Sequence, residues 1–104
     1  INLYLASREM TDLPKLSAIE SRLLVTLTSA WSKHEKISVM NSTKLLNEIS
    51  GITCFRHLKS LKNKGYLEYV TDESDNRIKF IEPTNLSKEY IYRIGKMIDE
   101  AAHQ

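Results

Sequence analysis

The hydrophobic period of this chain changes at one point, and the change falls on a glycine, Gly65. Before it, Cys54, Leu58 and Leu61 stand at i, i+4 and i+7, the spacing of one buried helix face. After it, Tyr66 to Val70 and Arg77 to Ile81 are rich in aromatic and β-branched residues, which predicts two strands. The six residues between them, Thr71-Asp72-Glu73-Ser74-Asp75-Asn76, form a polar turn, and Pro83 stops the second strand. Ile78 and Phe80 fall on one face of that strand, and Arg77, Lys79 and Ile81 on the other.

The flanking segments complete a pattern. Asn2 to Met10 predicts a short helix, broken by Thr11-Asp12-Leu13-Pro14. Ser17 and Glu20 have the spacing of a capping box. The helix they open carries Ile19, Leu23, Leu24, Leu27, Ala30 and Trp31 in one apolar stripe, with Trp31 as a core anchor. Ile37-Ser38-Val39 predicts a third short strand. Asn41 to Ile49 predicts a second helix facing inward through Leu45, Leu46 and Ile49, with Gly51 in the left-handed position after it. Thr53 is then the expected cap of the basic helix. Ser87 is the expected cap of a last helix, whose stripe is Tyr90, Ile91, Ile94, Met97, Ile98 and Ala101.

The order α, α, β, α, α, β, β, α predicts a mainly α (α+β) fold. It is a winged helix-turn-helix with a small three-stranded antiparallel sheet, which places a basic helix and a basic hairpin on one side of the molecule. With 104 residues, a single domain spans 1–104. Residues 1–15 are its N-terminal helix and linker, and 85–104 its terminal helix, suited to dimerisation.

Charge supports a nucleic-acid partner locally rather than globally. The net charge is only +2, but Arg56, Lys59, Lys62 and Lys64 lie between Glu48 and Glu68 with no acid among them. Such a patch suits phosphate, where affinity comes largely from counterion release; it also suits an ordinary solvated helix face. A single cysteine, Cys54, excludes an internal disulfide and a thiolate zinc site. It falls on the buried face of its helix, as a core thiol rather than a redox sensor. His34, His57 and His103 match no metal spacing, and the acidic turn lacks the remaining ligands of a calcium loop. No catalytic constellation and no cofactor motif is present, and no run approaches the length of a membrane helix. A non-enzymatic, cytoplasmic, nucleoid-associated protein is expected.

Two segments resemble the MarR-type winged-helix transcription regulators. Thr53 to Leu61, continued through Lys64-Gly65-Tyr66-Leu67, is similar to that family's recognition helix running into its first wing strand. Asp75-Asn76-Arg77-Ile78-Lys79 through Thr84 is similar to its wing motif, an Asp-x-Arg followed by a strand and a Thr. The resemblance covers roughly residues 16–88. It implies that Arg77 enters the minor groove and that Asp75 holds the wing by pairing with a basic side chain. It implies a sequence-specific regulator of double-stranded DNA. On the DNA-binding reading the contacts would be Ser42, Thr43, Thr53, Arg56, Lys59, Ser60, Arg77 and Lys79, and the apolar stripe of the last helix would allow a homodimer through the terminal helices. Ser42 and Thr43 would donate to phosphates, and Arg56 would be the base reader. The sequence departs from the family where Gly51, Ile52 and Phe55 replace small polar or basic residues. The alternative reading is a winged-helix module for a protein partner, or a phage or plasmid replication or maintenance factor. There Ile52, Phe55, Tyr66 and Tyr69 would carry the contact.

Overall fold

A computed structural model describes residues 10–103. The expected helix at Asn2–Met10 lies almost wholly outside these residues. Six elements follow: α1 (Ala18–Ser32), α2 (Val39–Ser42), α3 (Gly51–Asn63), β1 (Leu67–Thr71), β2 (Lys79–Pro83) and α4 (Asn85–Ala102).

Helix α1 starts as the sequence predicts. The Glu20 amide donates to Ser17 Oγ at 3.1 Å, and the Ser17 amide donates to Glu20 Oε1 at 2.8 Å. It ends in a Schellman turn, with the His34 amide on the Trp31 carbonyl and the Glu35 amide on the Ala30 carbonyl. His34 sits at φ 60°, a left-handed position that usually takes glycine. Helix α3 ends the same way on Gly65 at φ 89°, with Gly65 bonded to Lys62 and Tyr66 to Leu61. The glycine stop predicted from the sequence is therefore present.

Two predicted elements are corrected. Asn41–Ile49 is not a helix: only the single turn of α2 forms, followed by turns bonded three residues apart, Thr43 to Met40, Lys44 to Asn41 and Leu45 to Ser42. The cause is local competition. The hydroxyls of Ser42 and Thr43 donate back to the carbonyls of Val39 and Met40, which favours the tighter turn over a continued helix. The third strand is reduced to one bridge, Ser38 against Phe80, plus the Ile81 amide on the Ile37 carbonyl at 2.8 Å. Ser38 caps α2 immediately afterwards, so the chain turns helical before a strand can extend. The sheet proper is two-stranded and antiparallel, with Tyr69 opposite Ile81 and Val70 opposite Phe80.

Two caps also move. Ser50, not Thr53, caps α3, and Gly51 is the first helical residue, outside the left-handed region. Thr84, not Ser87, caps α4, with Ser87 as its reciprocal partner three residues on. The Thr84 hydroxyl also donates to the Gly65 carbonyl at 2.6 Å, which ties the exit of the wing to the end of α3.

One core joins these parts. Leu23, Leu24 and Leu27 of α1 meet Cys54, Leu58 and Leu61 of α3, the hairpin face formed by Leu67 and Ile81, and Tyr90 and Ile94 of α4. Tyr66 and Tyr90 pack edge to face with centroids 5.6 Å apart. Trp31, the predicted anchor, is half-buried, and its indole donates to the Ile81 carbonyl at 3.1 Å, fixing the hairpin to α1.

Candidate nucleic-acid interface

The exposed face of α3 and the hairpin tip border one cleft. Met40, Asn41 and Thr43 line one wall, Phe55 the α3 side, and Arg77, Ile78 and Lys79 the wing side. The amphipathic period of α3 produces this arrangement. Burying Cys54, Leu58 and Leu61 turns Phe55, Arg56 and Lys59 outward.

The wing tip is built around one ion pair. Asp75 Oδ1 accepts from the Arg77 backbone amide and from Arg77 Nε, each at 3.0 Å, and Asp75 Oδ2 accepts from Arg77 Nη2 at 3.0 Å. The fork of two side-chain bonds orients the guanidinium. The Arg77 guanidinium and amide hold the Asp75 carboxyl below the usual carboxylate range. The Arg77 side chain remains 89% exposed, so the pairing aims it without hiding it. The turn itself closes through Asp72 on the Ile78 carbonyl and Ile78 on the Asp75 carbonyl.

The predicted contacts divide into those that face solvent and those that do not. Arg56 and Lys59 are exposed on α3, with no ion-pair partner among the described residues. Arg77 and Lys79 are exposed on the wing. Thr43 is half-buried, with its hydroxyl on the Met40 carbonyl, and Thr53 is half-buried, with its hydroxyl accepting from Ser50.

Ser42 has to be withdrawn from the contact set. It is fully buried, its hydroxyl serves the Val39 carbonyl, and its own carbonyl accepts the Cys54 thiol at 3.4 Å. It joins α2 to α3 from inside and presents nothing to a phosphate. Burial also pushes the Cys54 thiol up, in keeping with a core thiol.

Ser60 is half-buried on α3. Lys64 Nζ donates to the buried carboxylate of Glu20 on α1 at 2.7 Å. Lys64 also reaches the Lys15 carbonyl at 2.8 Å. Lys62 covers the Tyr69 ring, its ammonium 5.0 Å from the centroid. Among the described residues, Arg56 and Lys59 are therefore the cations of this basic run without an ion-pair or aromatic partner, while Lys64 ties α3 to α1. Met40 and Asn41 on the cleft wall were not legible in the sequence, because the helix expected at Asn41–Ile49 is replaced by a single turn at Val39–Ser42.

Among the described residues no helix is long and apolar enough to cross a membrane, and no cluster of three or more His, Cys, Asp or Glu could hold a metal ion.

No family model and no curated protein sequence matches the chain. Solved structures do. The chain is similar to the heme sensor protein PefR from Streptococcus agalactiae in complex with heme, at 18% identity, TM-score 0.69, over 95% of this chain and 65% of that one. It is similar to the adhesin competence repressor AdcR from Streptococcus pyogenes, at 25% identity, TM-score 0.62, over 95% of this chain and 67% of that one. It is also similar to the transcriptional regulator Tm0710 from Thermotoga maritima, at 18% identity, TM-score 0.59, over 78% of this chain and 59% of that one. The chain thus spans between 59% and 67% of the length of these proteins.

Proposed function

We infer that the chain has the winged-helix fold of the MarR-type transcription regulators that its sequence resembles. On that premise, we propose that it is a sequence-specific, non-enzymatic regulator that binds double-stranded DNA. In this reading α3 enters the major groove and the wing meets the adjacent backbone or minor groove. The observation that carries it is the shared cleft. Phe55, next to Arg56, and Arg77 and Lys79 of the wing border the same opening, so one duplex reaches both elements.

Arg56 is the base reader and Lys59 a phosphate contact; Arg77, aimed by Asp75, enters the minor groove, where negative potential is concentrated. Lys79 adds a backbone contact, with Thr43 and Thr53 at the rim. A second copy is proposed to cover the apolar face of α4, where Tyr92 and Ile98 are exposed beside half-buried Ile91 and Met97. A regulator of this kind works on the cytoplasmic nucleoid, and no cofactor is invoked.

Fluorescence anisotropy with duplexes from the gene's own upstream region tests the reading. One duplex should bind far more tightly than the rest, and affinity should fall by orders of magnitude between about 50 and 200 mM salt. Equal binding of that duplex by the folded Arg56→Ala/Arg77→Ala double variant would sink the proposal. The same result would favour a protein partner for the surface around Ile52 and Phe55.

A further inference from the structure

Apolar side chains stand on the surface that the proposed function turns toward DNA. Ile52 is 71% exposed and Phe55 41% exposed. Positions 52, 55, 56 and 59 follow the i, i+3, i+4, i+7 spacing of one helix face, so these two share their face with Arg56 and Lys59. Ile52 is the second residue of α3, two positions after the Ser50 cap. The N-terminal residues of a recognition helix are those that reach base edges. The cations Arg56 and Lys59 on the same face favour a polyanion over an apolar protein as the occupant.

Neither Ile52 nor Phe55 can exchange a hydrogen bond with a base. The apolar group that unmodified DNA displays in the major groove is the C5-methyl of thymine. We propose that Ile52 and Phe55 read thymine methyl groups, as the specificity-determining apolar half of a surface whose polar half is Arg56. The half-site then carries a thymine, read by Ile52, near the guanine read by Arg56. The separation is about two base pairs, since four helical residues rise about 6 Å and one base pair about 3.4 Å. This inference rests on the DNA-binding reading above.

The probe is a duplex selected by the full chain from a random-sequence pool. Each thymine of its half-site is replaced singly by deoxyuridine, which removes the methyl and nothing else. Wild-type affinity should fall by about three- to tenfold at one or two thymines, the size expected for losing one or two buried methyl contacts. Ile52→Ala should bind thymine and deoxyuridine within about twofold at one of those positions, and Phe55→Ala at the same or the neighbouring one. Both side chains are exposed, so the variants are expected to fold, and the deoxyuridine series needs only the wild-type chain. Tolerance of deoxyuridine at every position overturns the inference and leaves DNA binding standing. Wild-type discrimination retained by both alanine variants overturns it as well. A pool that yields no consensus overturns the DNA-binding reading itself, and this inference with it.

Discussion

Lys64, at the end of the proposed recognition helix, donates to the buried carboxylate of Glu20 in the first turn of α1 at 2.7 Å. The same carboxylate oxygen closes the capping box with the Ser17 amide, so one acid both starts α1 and anchors α3. Burial by itself would raise the Glu20 pKa. The hydrogen bonds from Lys64 and the Ser17 amide outweigh it and leave the carboxyl below its ordinary 4.5. A depressed folded pKa adds stability above the unfolded pKa, and that stability is lost as pH falls through the folded one. Urea midpoints should therefore hold near neutrality and drop below about pH 4.5. Lys64→Ala, which strands the buried charge, should cost about 2–3 kcal/mol at pH 7 and flatten that acid dependence. An unchanged urea midpoint would show that the pair contributes nothing.

The two left-handed helix ends should respond oppositely to substitution. His34 holds φ 60° with a side chain, so His34→Gly should stabilise by up to about 1 kcal/mol. Gly65 holds φ 89° without one, and an added Cβ would stand 3.5 Å from Leu86. Space is ordinary there, so the expected loss of about 1 kcal/mol or more for Gly65→Ala comes from the backbone conformation. Thermal unfolding of the two variants checks both signs.

Asp75 should matter to DNA binding without touching DNA. Asp75→Ala frees Arg77 from its fork and leaves the hairpin ladder and core unchanged. Affinity for a cognate duplex should fall while thermal stability stays within about 0.5 kcal/mol of wild type. Arg77→Lys with Asp75 intact should not retain wild-type affinity either, because an ammonium cannot occupy both carboxylate oxygens in the same fixed plane. Parallel anisotropy and melting measurements separate the two effects.

Arg56 and Lys59 should fail differently. Arg56→Ala should cost about 1–3 kcal/mol on the cognate sequence and relax specificity at one position. Lys59→Ala should weaken all duplexes about equally and reduce the salt slope by about one. Ser42→Ala should leave DNA affinity alone and lower stability instead, since its hydroxyl is spent inside the fold.

Cross-strand Glu68 and Glu82 face each other in the hairpin, both exposed. Like charges directly opposite destabilise a ladder, so Glu82→Thr should stabilise by about 0.2–1 kcal/mol in urea unfolding. An unchanged midpoint would mean the repulsion is already screened, and a loss of stability would overturn the expectation.

The features legible in the sequence are those whose cause lies within a few residues. The Ser17–Glu20 box, the Gly65 stop, the strands around a polar turn and the Asp75–Arg77 wing tip are all local. Capping reaches three residues and side-chain period about seven, so the sequence by itself determined these parts and their order. The tertiary structure decided which polar groups remain for a partner. Lys64 looks like a solvent-facing member of a basic run until α1 supplies Glu20, 44 residues before it in sequence. Ser42 looks like a surface hydroxyl until α3 packs over it through Cys54. The third strand was limited by where Ser38 caps α2, beside its single bridge to Phe80. Burial is a property of the whole packed core. No local pattern specifies which face of a helix meets a neighbour carrying the complementary charge.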